Sequence, residues 1–158
     1  MKEERRSRYD GMTHKTKVLF ICTHNSARSQ MAEGYLSARY GDRYEAFSAG
    51  TEPTRVHPMA VEVMREIGID ISAHRPKLLD VFQGAGMDIV ITVCDSDRGI
   101  CPFFPGAKEE IHRSFPDPAG LAGSDEEIRA GFRRVRDEIT RWIDEYFGKN
   151  HPADEFSS

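Results

Sequence analysis

Apolar residues fall in short, separated runs. Val18-Leu-Phe-Ile21 and Asp88-Ile-Val-Ile-Thr-Val93 are nearly unbroken apolar stretches of strand length, as expected of strands buried on both faces of a parallel sheet. Residues 44–50 read as a further strand closed by a glycine-bearing turn, and residues 110–113 as a fourth with a weaker pattern. Between these runs the spacing lengthens to that of helices. Arg28 and Ser29 open a stripe of Met31, Tyr35, Leu36 and Tyr40 that stops near Gly41. His57-Pro58 opens the next, with Val61, Met64 and Ile67 at helical spacing and Gly68 as its stop, so His57 reads as a cap rather than a catalyst. A short helix is expected over residues 77–82, broken by Gly84 and Gly86. The longest stripe is Ile128, Phe132, Val135, Ile139, Trp142, Ile143 and Tyr146, and it follows Ser124-Asp-Glu-Glu127, which has the form of a capping box. Strands alternating with helices predict an open α/β sheet with its site in the crevice at the strand carboxyl ends.

Residues 1–16 and 148–158 are polar and aperiodic and read as extensions of one domain over residues 17–147. A chain of 158 residues with 39% hydrophobic content suffices for one core and is short for two. The formal charge of -4 argues against general nucleic-acid binding, and the basic Arg5, Arg6 and Arg8 have Glu3 and Glu4 beside them. An anionic substrate must therefore be small and drawn by a local site. No apolar run approaches the ~20 residues of a membrane span, and a secretory signal pattern is absent, so a cytoplasmic protein without membrane contact is expected; a monomer is also expected, although nothing in the sequence fixes the oligomeric state.

That local site is read at Cys22-Thr-His-Asn-Ser-Ala-Arg28-Ser29, where a strand, a polar loop and a helix N-terminus follow in succession. The first turn of a helix has amide donors without intrahelical partners, and a tight loop before it presents more, so an oxyanion fits there. The helix dipole contributes ~0.3–1 kcal/mol toward one charge, whereas a charge-assisted hydrogen bond from Arg28 is worth about 1.5–3 kcal/mol. The arginine and the amides should thus hold the ligand, with the dipole assisting. The same field favours the thiolate of Cys22, making it a candidate nucleophile, and Ser29 is placed to give that sulfur a hydroxyl hydrogen bond. Asp117, fixed between Pro116 and Pro118, is a candidate general acid or a plain turn residue. The other cysteines, Cys94 and Cys101, make no metal-ligand spacing with Cys22, and neither a bound metal nor a cofactor is expected. In a helix their seven-residue offset spans ~10.5 Å, beyond the ~7 Å Cα limit for a disulfide. Asp95, Ser96, Gly99 and Pro102 make such a helix marginal, so the sequence allows a helix-to-loop switch that lets the thiols meet.

Cys22-x5-Arg28-Ser29 after a strand resembles the phosphate loop of the low-molecular-weight tyrosine phosphatase superfamily. Within it, residues 22–34 (Cys-Thr-His-Asn-Ser-Ala-Arg-Ser-Gln-Met-Ala-Glu-Gly) are similar to the thioredoxin-coupled arsenate reductases. The likeness runs from Lys17 to Phe147. It implies a flavodoxin-like sheet of four parallel strands with helices on both faces. It further implies an oxyanion held by Thr23, His24, Asn25, Ser26, Ala27 and Arg28, with phosphate and sulfate as competitors of arsenate. Cys22 would attack arsenic, Cys94 and Cys101 would resolve the adduct, Asp117 would supply the proton, and thioredoxin would be the external reductant in arsenic detoxification. Some of these reductases bind potassium through residues matching Asn25, Glu33 and Ser48 and an acidic residue where this chain has Lys77, whose ammonium is expected to replace the ion. Ala119 and Gly120 stand where family tyrosine phosphatases usually carry an aromatic residue. A phosphatase of the same fold and an oxyanion-binding thiol redox sensor remain as alternative readings.

Overall fold

The computed structural model describes residues 15–93, 104 and 106–148. Four strands form one sheet: β1 (Thr16–Cys22), β2 (Tyr44–Gly50), β3 (Ile89–Thr92) and β4 (Glu109–His112), in the order β2-β1-β3-β4. All three pairings are parallel. Among the described residues three α-helices connect and follow them: α1 (Arg28–Tyr40), α2 (Pro58–Arg65) and α3 (Asp125–Ile143). This is the open α/β sheet that the alternating pattern predicts, with the four parallel strands that the family resemblance implies. The chain reverses its direction of winding between β1 and β3, which opens a crevice at their carboxyl ends.

Alternation along β1 divides the core in two. Val18 and Phe20 face a cluster with Met31 and Leu36 of α1, Ala60, Val63 and Met64 of α2, and Phe132, Ile139 and Ile143 of α3. Leu19 and Ile21 face the other side, with Val90, Met87, Phe104 and the 3₁₀ helix Leu79–Phe82. The central strand is therefore buried on both faces, and its unbroken apolar run follows from that. Strand β4 lies at the sheet edge with three of its four residues exposed, which accounts for its weak pattern.

Helix boundaries follow local chemistry. Ser124 accepts from the Glu127 amide while Glu127 accepts from the Ser124 amide, completing the expected capping box of α3. Helix α2 buries Ala60, Val63 and Met64 rather than the expected Val61, Met64 and Ile67. It ends at Arg65, and the chain turns at Gly68, whose φ is +83°, so Ile67 lies beyond the helix and is 40% exposed. The helix expected over residues 77–82 is reduced to the four-residue 3₁₀ turn, which gives way to Gly84 and Gly86 at φ +77° and +74°. Among the described residues no helix is long and apolar enough to cross a membrane.

Two arginines of α3, Arg133 and Arg136, clasp Glu66 at the end of α2. Arg136 also donates to the Val63 carbonyl at 2.8 Å, tying the helices together. The Arg133 hydrogen bonds hold the Glu66 carboxyl at about 2, against a smaller opposing effect of burial and with help from Arg136. A depressed folded-state value stabilises fully above the unfolded carboxyl range and is lost as pH falls through the folded one. Glu66→Gln is expected to cost about 1 kcal/mol at neutral pH, the upper end for a partly exposed pair. Urea titrations of both proteins should show that difference shrinking below pH 4.5 and vanishing near pH 2.

Candidate active site

Cys22 closes β1 opposite Gly50 of β2. The loop that follows directs its carbonyls at neighbours: Thr23, His24 and Ser26 accept from the amides of Glu52 (2.8 Å), Thr54 (3.1 Å) and His57 (3.0 Å). Asn25 carbonyl accepts from Gln30 Nε2 at 3.2 Å, and Ala27 carbonyl from the Met31 amide at 2.8 Å. The amides of residues 23–27 have no partner among the described residues, and no side chain caps α1. A row of unsatisfied donors at a helix start is an anion cradle. The tightness of the turn rests on two residues. Asn25 takes φ +50°, which asparagine tolerates better than most side chains. Gly50 lies so close that a Cβ there would stand 2.5 Å from the Thr23 carbonyl oxygen and 2.9 Å from the Asn25 nitrogen.

Beneath the cradle runs a buried polar chain. Cys22 Sγ lies 2.9 Å from Ser29 Oγ, which accepts from Asn25 Nδ2 at 2.8 Å, so the serine's own hydrogen is available to the sulfur. Asn25 Oδ1 accepts from Gln30 Nε2 (3.0 Å) and from the Lys77 amide (2.8 Å), which fixes its amide orientation. Gln30 Nε2 also reaches the Arg75 carbonyl at 3.1 Å. Since that nitrogen faces only acceptors, Gln30 Oε1 meets His74 Nδ1 at 3.0 Å and Nδ1 carries the hydrogen. Gln30 and His74 were not singled out by the sequence pattern. Gln30 is the third residue of α1, the position from which a Glu or Gln reaches back over a helix start, and that is the signal that could have found it.

Arg28 is 6% exposed and is held from behind. Its Nη1 donates to the carbonyls of Phe115 (3.1 Å) and Val93 (3.5 Å), and Nη2 stands 3.5 Å from Asp117 Oδ2. Among the described residues nothing takes Nε–H and one Nη2 hydrogen, which lie on a single edge of the guanidinium and face a ligand. Asp117 accepts from the Ala119 amide at 3.0 Å, capping the 3₁₀ turn Pro118–Gly120. Cys22, Ala27, Arg28, His57, Asp117 and Ala119 line a cleft of about 230 Å³. His57 caps α2 as expected and also faces this cleft. Its burial, reinforced by Arg55 and opposed by Asp117, pushes its titration below the usual histidine range.

The second polar group assembles as well. Ser48 Oγ donates to Glu33 Oε1 at 2.5 Å, and Lys77 Nζ lies 3.7 Å from that same oxygen and 2.8 Å from the Arg75 carbonyl. Lys77 thus sets its ammonium beside Glu33, while its backbone amide donates to Asn25 Oδ1. Among the described residues no three His, Cys, Asp or Glu side chains gather as a metal site. Cys94 and Cys101 lie outside the described residues.

Residues 17–151 match the family model described as low molecular weight phosphotyrosine protein phosphatase. The chain is 46% identical over 130 residues to the arsenate reductase of Halalkalibacterium halodurans, an overlap of 82% of this chain and 94% of that one. A solved arsenate reductase in its phosphate-binding state is similar at 32% identity and a TM-score of 0.71, over 85% of this chain and 98% of the other. The thioredoxin-dependent arsenate reductase of Corynebacterium glutamicum is similar at 30% identity and a TM-score of 0.59, over 90% of this chain and 70% of its own.

Proposed function

The chain belongs to the low molecular weight phosphotyrosine protein phosphatase family, and within it we propose that it reduces arsenate to arsenite through a three-thiol relay that thioredoxin regenerates. The observation that carries this reading is the buried Cys22 thiol, hydrogen-bonded to Ser29 at the floor of an anion cradle whose wall at position 119 is only an alanine. An aromatic clamp for a phosphotyrosine ring is thereby lacking at that wall, while a small tetrahedral oxyanion fits. The arsenate reductases among the relatives support the substrate, and the thioredoxin-dependent neighbour supports the donor.

Arsenate sits with its oxygens against the loop amides and the free edge of Arg28. Cys22 thiolate forms a sulfur–arsenic bond, and an arsenic-bound hydroxide departs as water with a proton from Asp117. Cys94 thiolate then attacks Cys22 Sγ. A disulfide forms, the sulfur–arsenic bond breaks, and its electron pair stays on arsenic, which passes from the +5 to the +3 state and leaves as arsenite. Cys101 attacks Cys94, frees Cys22, and leaves a Cys94–Cys101 disulfide holding two oxidising equivalents for thioredoxin to remove.

The test is arsenate-dependent NADPH oxidation by the native chain with thioredoxin and thioredoxin reductase. Sustained oxidation is expected. Brisk hydrolysis of an aryl phosphate without it would make the protein a phosphatase, and oxidation of the thiols without sustained turnover would make it a sensor. The Lys77 ammonium gives a further expectation, since it places a fixed cation beside Glu33. Turnover should be unchanged when potassium replaces sodium at equal ionic strength; several-fold faster turnover in potassium would show that the lysine does not stand in for an ion.

A further inference from the structure

His57 does more at the start of α2 than a cap requires. Its Nδ1 accepts from the Met59 amide at 3.1 Å, so in the neutral ring the hydrogen is on Nε2. Its backbone amide holds the Ser26 carbonyl of the anion loop, and its ring lies against Phe132 of α3 with centroids 4.6 Å apart. Those two contacts fix the imidazole in the wall of the cleft, beside Cys22, Arg28 and Asp117. Nothing among the described residues accepts from Nε2. Serine, threonine, aspartate and asparagine are the preferred caps, and capping alone does not call for an imidazole here.

We propose that His57 is an oxyanion-binding residue whose Nε2–H donates to the ligand held between the loop amides and Arg28, while its Nδ1 caps α2. The two nitrogens divide the work. The capping bond keeps Nδ1 unprotonated, which leaves Nε2 as the donor and holds the imidazole neutral beside the anion. A neutral donor adds to the grip on arsenate or phosphate without a second buried cation next to Arg28. The inference rests on the cleft binding an oxyanion and not on what becomes of that anion afterwards.

The test separates the cap from the donor. His57→Asn and His57→Ser both retain a side-chain acceptor for the Met59 amide and both are too short to reach the ligand. Protection of Cys22 from iodoacetamide by inorganic phosphate, followed at the Cys22 peptide by mass spectrometry, reports binding without any need for turnover. Both variants are expected to melt near the native temperature and to need about 2- to 10-fold more phosphate for half-protection, the worth of one neutral hydrogen bond. Half-protection at the native concentration in either folded variant would reduce His57 to a cap. Native Cys22 that phosphate does not protect would overturn the oxyanion cleft itself, whereas protection without arsenate reduction would remove only the redox reading.

Discussion

Cys101→Ser is expected to release one arsenite per chain and then stop. On the proposed relay the first two steps need only Cys22 and Cys94, so arsenic is reduced and the Cys22–Cys94 disulfide forms. Without a third thiol that disulfide has no intramolecular attacker, and Cys22, which is 2% exposed, is poorly placed to meet a thioredoxin thiolate directly. Arsenite measured after rapid mixing should therefore equal the enzyme concentration, while steady NADPH oxidation falls to background. Cys94→Ser should fail one step earlier and release none. Neither change should alter hydrolysis of an aryl phosphate, for which Cys22, Arg28 and Asp117 suffice. Steady turnover by Cys101→Ser would remove Cys101 from the relay.

What could be read in advance was what depends on neighbours in sequence. The unbroken run in β1, the Ser124 box and the His57 cap each arise within a few residues, and each stands in the structure as the pattern predicts. The Cys22–Arg28 loop belongs to this class, because a strand end and a helix start set its shape. Where distant segments decide, the pattern is silent. Gln30 looks like a polar surface position, yet it is fully buried because Arg75 and His74, more than forty residues away, close over it. Ile67 fits the helical spacing, but the turn at Gly68 ends the helix first. Lys77 reads as a helix-start lysine, whereas its amide binds Asn25 and its carbonyl accepts from Gly50, which joins it to the loop rather than to a helix. The carbonyls that seat Arg28 come from Val93 and Phe115, and no residue type announces a backbone acceptor.

Arg28→Lys is expected to lower kcat/KM by about 10²–10³-fold, the usual loss when one preorganised donor to a developing oxyanion is removed. The reason lies in how the arginine is divided. One nitrogen is committed to the Phe115 and Val93 carbonyls and another stands against Asp117, which leaves a two-hydrogen edge for the ligand. A lysine ammonium has three hydrogens at one point and can satisfy the buried carbonyls or the anion but not both. If it turns to the carbonyls, the cradle keeps its amides and loses its fork. If it turns to the anion, the Phe115 and Val93 carbonyls lose this donor and the loop after β4, with Asp117, loses its tether. On the proposed chemistry both routes weaken the transition state more than the ground state, because a preorganised donor counts most where charge develops on the oxyanion. The kinetic signature is a fall in kcat larger than the rise in KM, measured on arsenate reduction and on aryl phosphate hydrolysis alike. A variant that melted lower yet kept native kcat/KM would show that Arg28 serves the fold and leaves the anion to the amides.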